Sequence, residues 1–147
     1  MTFLAAEPLI VARLIEACPS ARAVLTARDV AEVMESSQVS PALQVYQDGW
    51  SIEEVIGTGD TSRVLEHWLV VAVVRHARQG GEAAAALREA AAPLVAEAYA
   101  ALAGWRPSSE LGWLRPVDPP RPVFSKSHGY FPLAFTTRFT VSGDLDP

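Results

Sequence analysis

Residues 64–76, VLEHWLVVAVVRH, contain seven consecutive apolar side chains from Trp68 to Val74, with β-branched residues prominent among them. A pleated strand sends successive side chains to opposite faces, so a run without polar interruption must be screened from water on both sides. It predicts the central strand of the fold, covered by the chain's own helices and, in an assembly, by a neighbouring subunit. No apolar run approaches the roughly 20 residues that span a bilayer, so the chain is expected to be soluble and intracellular.

The flanking segments supply the covering layers. Residues 5–18 predict a helix with Val11, Leu14, Ile15 and Cys18 on one face and Glu7 and Pro8 in the first turn, where a missing N–H costs nothing. This stretch imitates a signal peptide, with Ala21-Arg22-Ala23 as a mock cleavage site, but it lacks a basic start and carries Glu7 and Arg13 inside the run. Ala23 to Leu25 reads as a short strand, and Thr26 followed by Asp29 as the cap of a second, shorter helix ending near Ser36. From Gly81 to Ala103 an alanine-rich helix sets Leu87, Ala91, Leu94, Ala98 and Leu102 on one stripe. Pro93 is expected to kink it, and Gly104 and Pro107 to end it.

Residues 42–47 predict a strand that Asp48-Gly49 turns back, with Trp50 to Ile56 as the returning partner. Gly57-Thr58-Gly59-Asp60 then turns into the central strand, which completes a three-stranded antiparallel meander. Glu53 and Glu54 mark its middle segment as a solvated arm. Residues 108–129 hold Pro116, Pro119, Pro120 and Pro122, which favour an extended, unpaired path. Residues 130–141 alternate, with Phe131, Leu133, Phe135, Thr137, Phe139 and Val141 on one face and Tyr130, Ala134, Thr136, Arg138 and Thr140 on the other. The expected fold is α+β: one domain over residues 1–147, with a mostly antiparallel or mixed sheet of about four strands packed against two main helices. A hairpin arm at 48–62, a proline-rich loop at 108–129 and a loose tail at 143–147 complete it.

Composition narrows the function. Half of the 147 residues are hydrophobic, which excludes disorder as the main state. Residues 1–76 hold five Arg against ten acids, and residues 77–147 hold seven basic and seven acidic side chains, so the net charge of −5 lies in the first half. Without a basic stripe there is no general affinity for nucleic acid or anionic membrane, since phosphate binding needs clustered cations. Cys18, the single cysteine, permits no internal disulfide and no multi-cysteine zinc site.

Catalytic constellations are nearly empty. His67 and His76 are nine positions apart, an odd separation that places them on opposite faces of one strand, where they cannot share a metal. Ser127, His128 and Asp118 can be written as a hydrolase triad, but they lack the strand-turn-helix elbow that exposes a nucleophile, and Ser127 adjoins His128 in sequence. Gly57 to Asp60 lacks the Gly-Lys-Ser/Thr of a phosphate loop. The reading is therefore not an enzyme: no catalytic residue, no cofactor and no metal. Of the four tryptophans, Trp68 and Trp105 are expected in the core, and Trp50 and Trp113 in loops, where aromatics are enriched at protein interfaces.

Five strings, FLAAEPLIVARL (3–14), PALQVYQDG (41–49), HWLVVAVVRHAR (67–78), GWRP (104–107) and YFPLAF (130–135), resemble in order the tail-terminator, or tail-completion, proteins of long-tailed bacteriophages and prophages. The resemblance implies a structural virion protein that forms a homohexameric ring on the tail tube, stops tube polymerisation and presents the docking surface for a head-tail connector or head-closure protein. It implies a place at the virion neck after assembly in the host cytoplasm, with DNA passing the bore without specific binding and no contact with membrane. A head-closure or neck connector protein is the alternative within this class, a small hydrolase using Ser127 or His128 the alternative outside it, and a monomeric α+β domain the plain one. A six-fold ring needs heterologous patches. Trp50, Ile52, Glu53, Glu54, Arg63, Trp113, Tyr130 and Arg138 are the candidate contacts, and acidic groups facing the bore would repel DNA.

Overall fold

The computed structural model describes residues 3–27, 38–76 and 81–143. The predicted helix from Thr26 to Ser36 and the tail from Asp144 fall almost wholly outside them. The described elements are α1 (Ala6–Ala17), β1 (Ala23–Thr26), β2 (Ala42–Ile56), β3 (Thr61–Arg75), α2 (Gly81–Leu102), β4 (Arg115–Val117), β5 (Val123–Phe124) and β6 (His128–Ser142). They make an α+β domain with one mixed sheet of six strands, two more than the expected number, in the order β1-β2-β3-β6-β4 with β5 also on β6. β1 pairs with β2 in parallel and every other pairing is antiparallel.

β3 is central as expected, but its two faces differ. Val64, Trp68, Val70, Ala72 and Val74 are buried in the core with Leu43 and Val45 of β2 and Phe135 and Phe139 of β6. Both helices lie on this side. The opposite side carries Leu65, His67, Leu69 and Val71, all half-buried. No helix of the described residues covers it; the proline-rich segment lies across part of it, where Pro120, Arg121 and Val123 close a 180 Å³ recess over Leu69, Val71, Tyr130 and Pro132. Continuous hydrophobicity along β3 was the signature of two covered faces, and one of them is only partly covered within the monomer.

The register corrects the hairpin. Asp48-Gly49 does not reverse the chain: β2 runs through it, and the register shift between Gln47 and Trp50, with Gly49 at φ +82°, marks a bulge that bends the strand. The first reversal is at Gly57 to Asp60, with Gly57 at φ +67° and Gly59 at φ +104°. The expected three-stranded meander within 42–75 is therefore a two-stranded ribbon, and its third strand is β6. Placing a β-carbon in the left-handed conformation of Gly49 costs about 1–2 kcal/mol, so Gly49→Ala is expected to lower stability by about that amount in denaturant titration, although nothing lies within 4 Å of the added methyl.

The helices reach the sheet through i, i+4 stripes. In α2, Leu87, Ala91, Leu94, Ala98 and Leu102 are all buried as predicted, and the helix continues as one element across Pro93. In α1 the buried stripe is Ala6, Ile10, Leu14 and Cys18, while Ile15 is 64% exposed and Val11 half-buried, so the expected face is rotated. The rotation follows from packing against α2: Arg13 donates from Nε to the Ala101 carbonyl at 3.0 Å and stacks 5.4 Å above Trp105. It supplies the cation that the last turn of α2 lacks. Trp105 is accordingly half-buried, not a core residue.

Cys18 is packed beneath this junction, and burial, reinforced by Glu97, pushes its thiol up to about 11 despite the opposing Arg13. The native thiol is expected to resist alkylation at pH 8 and to react fully only on unfolding. Because the folded value exceeds the ordinary 9.0, stability from this group is complete below pH 9 and falls as pH rises through about 11. Thiol labelling kinetics across pH 7–11 check both statements.

The proline-rich stretch is extended but not unpaired. β4 pairs Arg115 with Thr136 and Val117 with Ala134, β5 pairs Val123 with Tyr130, and Gly112 donates its N–H to the Arg138 carbonyl at 2.8 Å. Proline is tolerated here because β4 is an edge strand. β6 shows the predicted alternation, with Phe131, Leu133, Phe135, Thr137, Phe139 and Val141 all toward the helices.

Candidate functional site

Past the bulge, β2 runs on as an exposed edge strand of the sheet, paired with β3, which β6 pairs along its whole length: every residue of β2 from Asp48 to Ile56 is exposed, whereas Ala42 to Val45 are buried. Register places Trp50 opposite Glu66, Ile52 opposite Val64 and Val55 opposite Ser62, on the helix-side face of the sheet. Trp50, Ile52 and Val55 are 53%, 50% and 60% exposed. Trp50 is held by Phe3, 4.8 Å away, which in turn meets Phe139 edge-on at 5.2 Å. One side of the indole thus rests on its own domain and the other faces solvent.

The charged candidates lie on the other face and pair with each other. Arg138 donates from Nε to Glu53 Oε1 at 2.6 Å, and Arg63 from Nη1 to Glu54 Oε2 at 2.8 Å. These contacts lock three strands at the base and middle of the arm, and they partly neutralise the two carboxylates that sequence reasoning had assigned to a free acidic surface. Trp113 is 58% exposed, with the Arg106 guanidinium 5.9 Å from its ring. Tyr130 is half-buried on the far sheet face near β5. The structure gathers Glu53, Glu54, Arg63 and Arg138 into one cluster, sets Trp50 and Ile52 on the reverse of the same arm, places Trp113 next to Gly112, which bonds the Arg138 carbonyl, and leaves Tyr130 toward the other end of β6.

The residue that sequence reasoning missed is Glu66. Its carboxyl group is fully buried on the helix side of β3 and accepts three hydrogen bonds: Leu4 N–H at 3.0 Å, Gln47 Nε2 at 2.6 Å and Trp68 Nε1 at 3.0 Å. Leu4, at φ +66°, precedes a helix whose N-cap makes no side-chain hydrogen bond, so Glu66 tethers the start of α1 to the root of the arm. The signal was present in the period of two: Glu66 is in phase with Trp68, Val70, Ala72 and Val74, which assigns it to the core.

The paper triad does not assemble into a reactive site. Ser127 Oγ and His128 Nδ1 are 2.9 Å apart, but His128 is 1% exposed and stacks on Tyr130, so no substrate reaches the ring, and Asp118 lies exposed beyond β4. His67 bonds Ser51 on the half-open sheet face, 3.2 Å from Nε2 to Oγ. His76 follows the end of β3, its N–H bonded to the Ser127 carbonyl at 2.8 Å. Among the described residues, no group of three His, Cys, Asp or Glu side chains could hold a metal ion.

What remains as the distinctive feature among the described residues is an exposed strand with an apolar face. Comparison with protein families gives that feature a setting: the model of the phage tail terminator proteins matches residues 1–144. The chain belongs to the phage tail terminator family. No curated protein matches it. The match spans every described element, from α1 to the end of β6, and all five resemblant strings lie within it. A phage tail terminator is a structural protein of the virion tail, and the phage setting agrees with a surface built for protein contact. No helix among the described residues is long and apolar enough to cross a membrane.

Proposed function

We propose that the chain closes into a homohexameric ring on the end of the tail tube, stops further addition of tube protein, and offers the head-connector or head-closure protein its docking surface. The observation that carries this reading is the arm: three large apolar side chains, Trp50, Ile52 and Val55, each at least half exposed on one face of a ribbon whose reverse is braced by ion pairs. A ribbon stiffened on one side and apolar on the other loses little conformational freedom on docking, so its burial translates efficiently into affinity. Ring closure needs two different patches per subunit. The half-open sheet face with Leu69, Val71 and Tyr130 then serves a partner above or below the ring, and Trp113 sits at its rim.

Purified protein added to growing tail tubes is expected to halt elongation at substoichiometric amounts, with six copies counted per tube end by native mass measurement or electron microscopy. Tubes that lengthen unchecked in the presence of the protein would refute the capping role. Glu53→Lys with Glu54→Lys tests the acidic bore: it breaks both ion pairs, and DNA ejection that is unaltered in rate removes these residues from any contact with passing DNA.

A further inference from the structure

On the side of the sheet away from the helices, one rung of the ladder sets Arg115 of β4 opposite Thr136 of β6, and Thr136 opposite His67 of β3. Directly opposite residues share a face, and Arg138, two positions along β6 from Thr136, projects to the same side. These four side chains line a cleft of about 340 Å³ whose apolar part is Leu65, Pro116 and Val117.

Two groups in the cleft lack the partner that their chemistry calls for. Thr136 is 5% exposed, yet its hydroxyl bonds to no other described residue, although buried polar groups are as a rule hydrogen-bonded. The Arg115 guanidinium likewise makes no hydrogen bond or ion pair among the described residues. The neighbours do not supply what is missing. Arg138 engages Glu53 Oε1 through Nε at 2.6 Å, a pair whose charges cancel, and His67 is held to Ser51 Oγ through Nε2 at 3.2 Å. The cleft therefore keeps one uncompensated positive charge, on Arg115, beside a hydroxyl donor and an apolar wall.

We propose that this cleft binds the carboxylate of an Asp or Glu side chain presented by a protein that packs on this face of the sheet. The inference rests on the reading of the half-open face as a docking surface and names the chemistry of the partner. Arg115 offers the two parallel N–H donors that match a carboxylate, and Thr136 a third donor from the floor. The apolar wall accommodates the methylene stem of the incoming side chain. A nucleic-acid phosphate is the poorer match, because phosphate backbones are bound by rows of cations. Here Arg115 stands alone: Glu53 occupies Arg138, Glu54 occupies Arg63, and Asp118 follows the end of β4. A single recessed cation among acids disfavours a polyanion and admits one carboxylate on a side chain.

The test is a titration of the full, isotope-labelled chain, followed by nuclear magnetic resonance at the Arg115 Nε–H and the Thr136 amide. The probes are N-acetyl-glutamate α-amide, its glutamine counterpart, inorganic phosphate and a short DNA duplex. The glutamate probe is expected to shift both signals saturably and to bind at least about tenfold more tightly than the glutamine probe, the ratio that a charge-assisted pair supplies. Arg115→Gln, at an exposed position, and Thr136→Val, which keeps the shape, are expected to fold as the parent does. The first should abolish the preference and the second should reduce it at least about threefold. Equal affinity for the two amides, or a preference that survives Arg115→Gln, would overturn the site. Phosphate or duplex binding more tightly than the glutamate probe would overturn the carboxylate as its ligand, and shifts at Arg121 as large as those at Arg115 would reduce the effect to pairing with any exposed guanidinium. With purified tubes and heads, Arg115→Glu is expected to form rings normally and to lose at least about tenfold in attachment to one of the two; parental attachment to both would overturn the docking role. Rings that cap tubes without any carboxylate preference would overturn the cleft and leave the ring reading in place. A chain that keeps the preference but never assembles would overturn the ring and leave the cleft.

Discussion

Glu66→Leu is expected to remove about 3–5 kcal/mol of stability. The replacement keeps roughly the volume but deprives three donors of their shared acceptor: the Leu4 N–H, the Gln47 amide and the Trp68 indole N–H. All three belong to residues held against a fully buried group, so water cannot substitute without opening the site. A domain of this size has about 5–15 kcal/mol in total, so the variant should unfold at a midpoint lower by about 10 °C or more. Glu66→Gln, which retains one acceptor, should lose less. Thermal and urea unfolding measure the loss, and accelerated proteolysis before Ala6 would show that the N-terminal tether has opened first. Loss below about 1 kcal/mol would mean that the three bonds contribute nothing net.

The second large effect concerns assembly. Ile52→Asp combined with Val55→Asp should leave the unfolding transition of the monomer within about 0.5 kcal/mol of the parent, since both side chains are at least half exposed. Each apolar side chain buried at a subunit contact contributes about 1.5–3 kcal/mol. In a closed six-membered ring the same loss recurs at every contact, so a deficit of about 3 kcal/mol per contact grows to roughly 18 kcal/mol per ring. Ring formation should therefore vanish at any accessible concentration, measured by light scattering, while circular dichroism remains native. A double variant that still forms rings at parental concentration would remove the arm from the subunit contact.

The sequence and the structure divide the explanation along a physical line. Local periodicity determined which segments are helix and which are strand: the alternation of 130–141, the i, i+4 stripe from Leu87 to Leu102 and the unbroken run from Trp68 to Val74 each depend on one element alone. The order of short strings was enough to point to the phage tail terminator family, because the family pattern follows the chain from end to end. Quantities that depend on two elements at once were not legible. Gly49 reads as a turn because its positive φ suits a turn and a bulge equally; the partner strand β3, continuing past it in register, made it a bulge. The α1 stripe was rotated by its contact with α2 through Arg13, and Pro116 entered a strand because β6 offered it an edge.

The candidate site divides in the same way. Of the two tryptophans expected in loops, Trp113 lies in one and is 58% exposed, whereas Trp50 lies in β2 and is 53% exposed. Glu53 and Glu54, read as marking a solvated arm, are exposed but ion-paired, with Arg138 and Arg63 respectively, and Arg138 is more than eighty positions away in sequence. The sequence by itself determined the two described helices, the central strand, the alternation of β6 and the family. Only the tertiary structure decided which face of the central strand stays half open, that Arg115, Thr136 and Arg138 line one cleft there, and that Glu66 anchors the N-terminus, because each depends on side chains that folding brings together from distant parts of the chain.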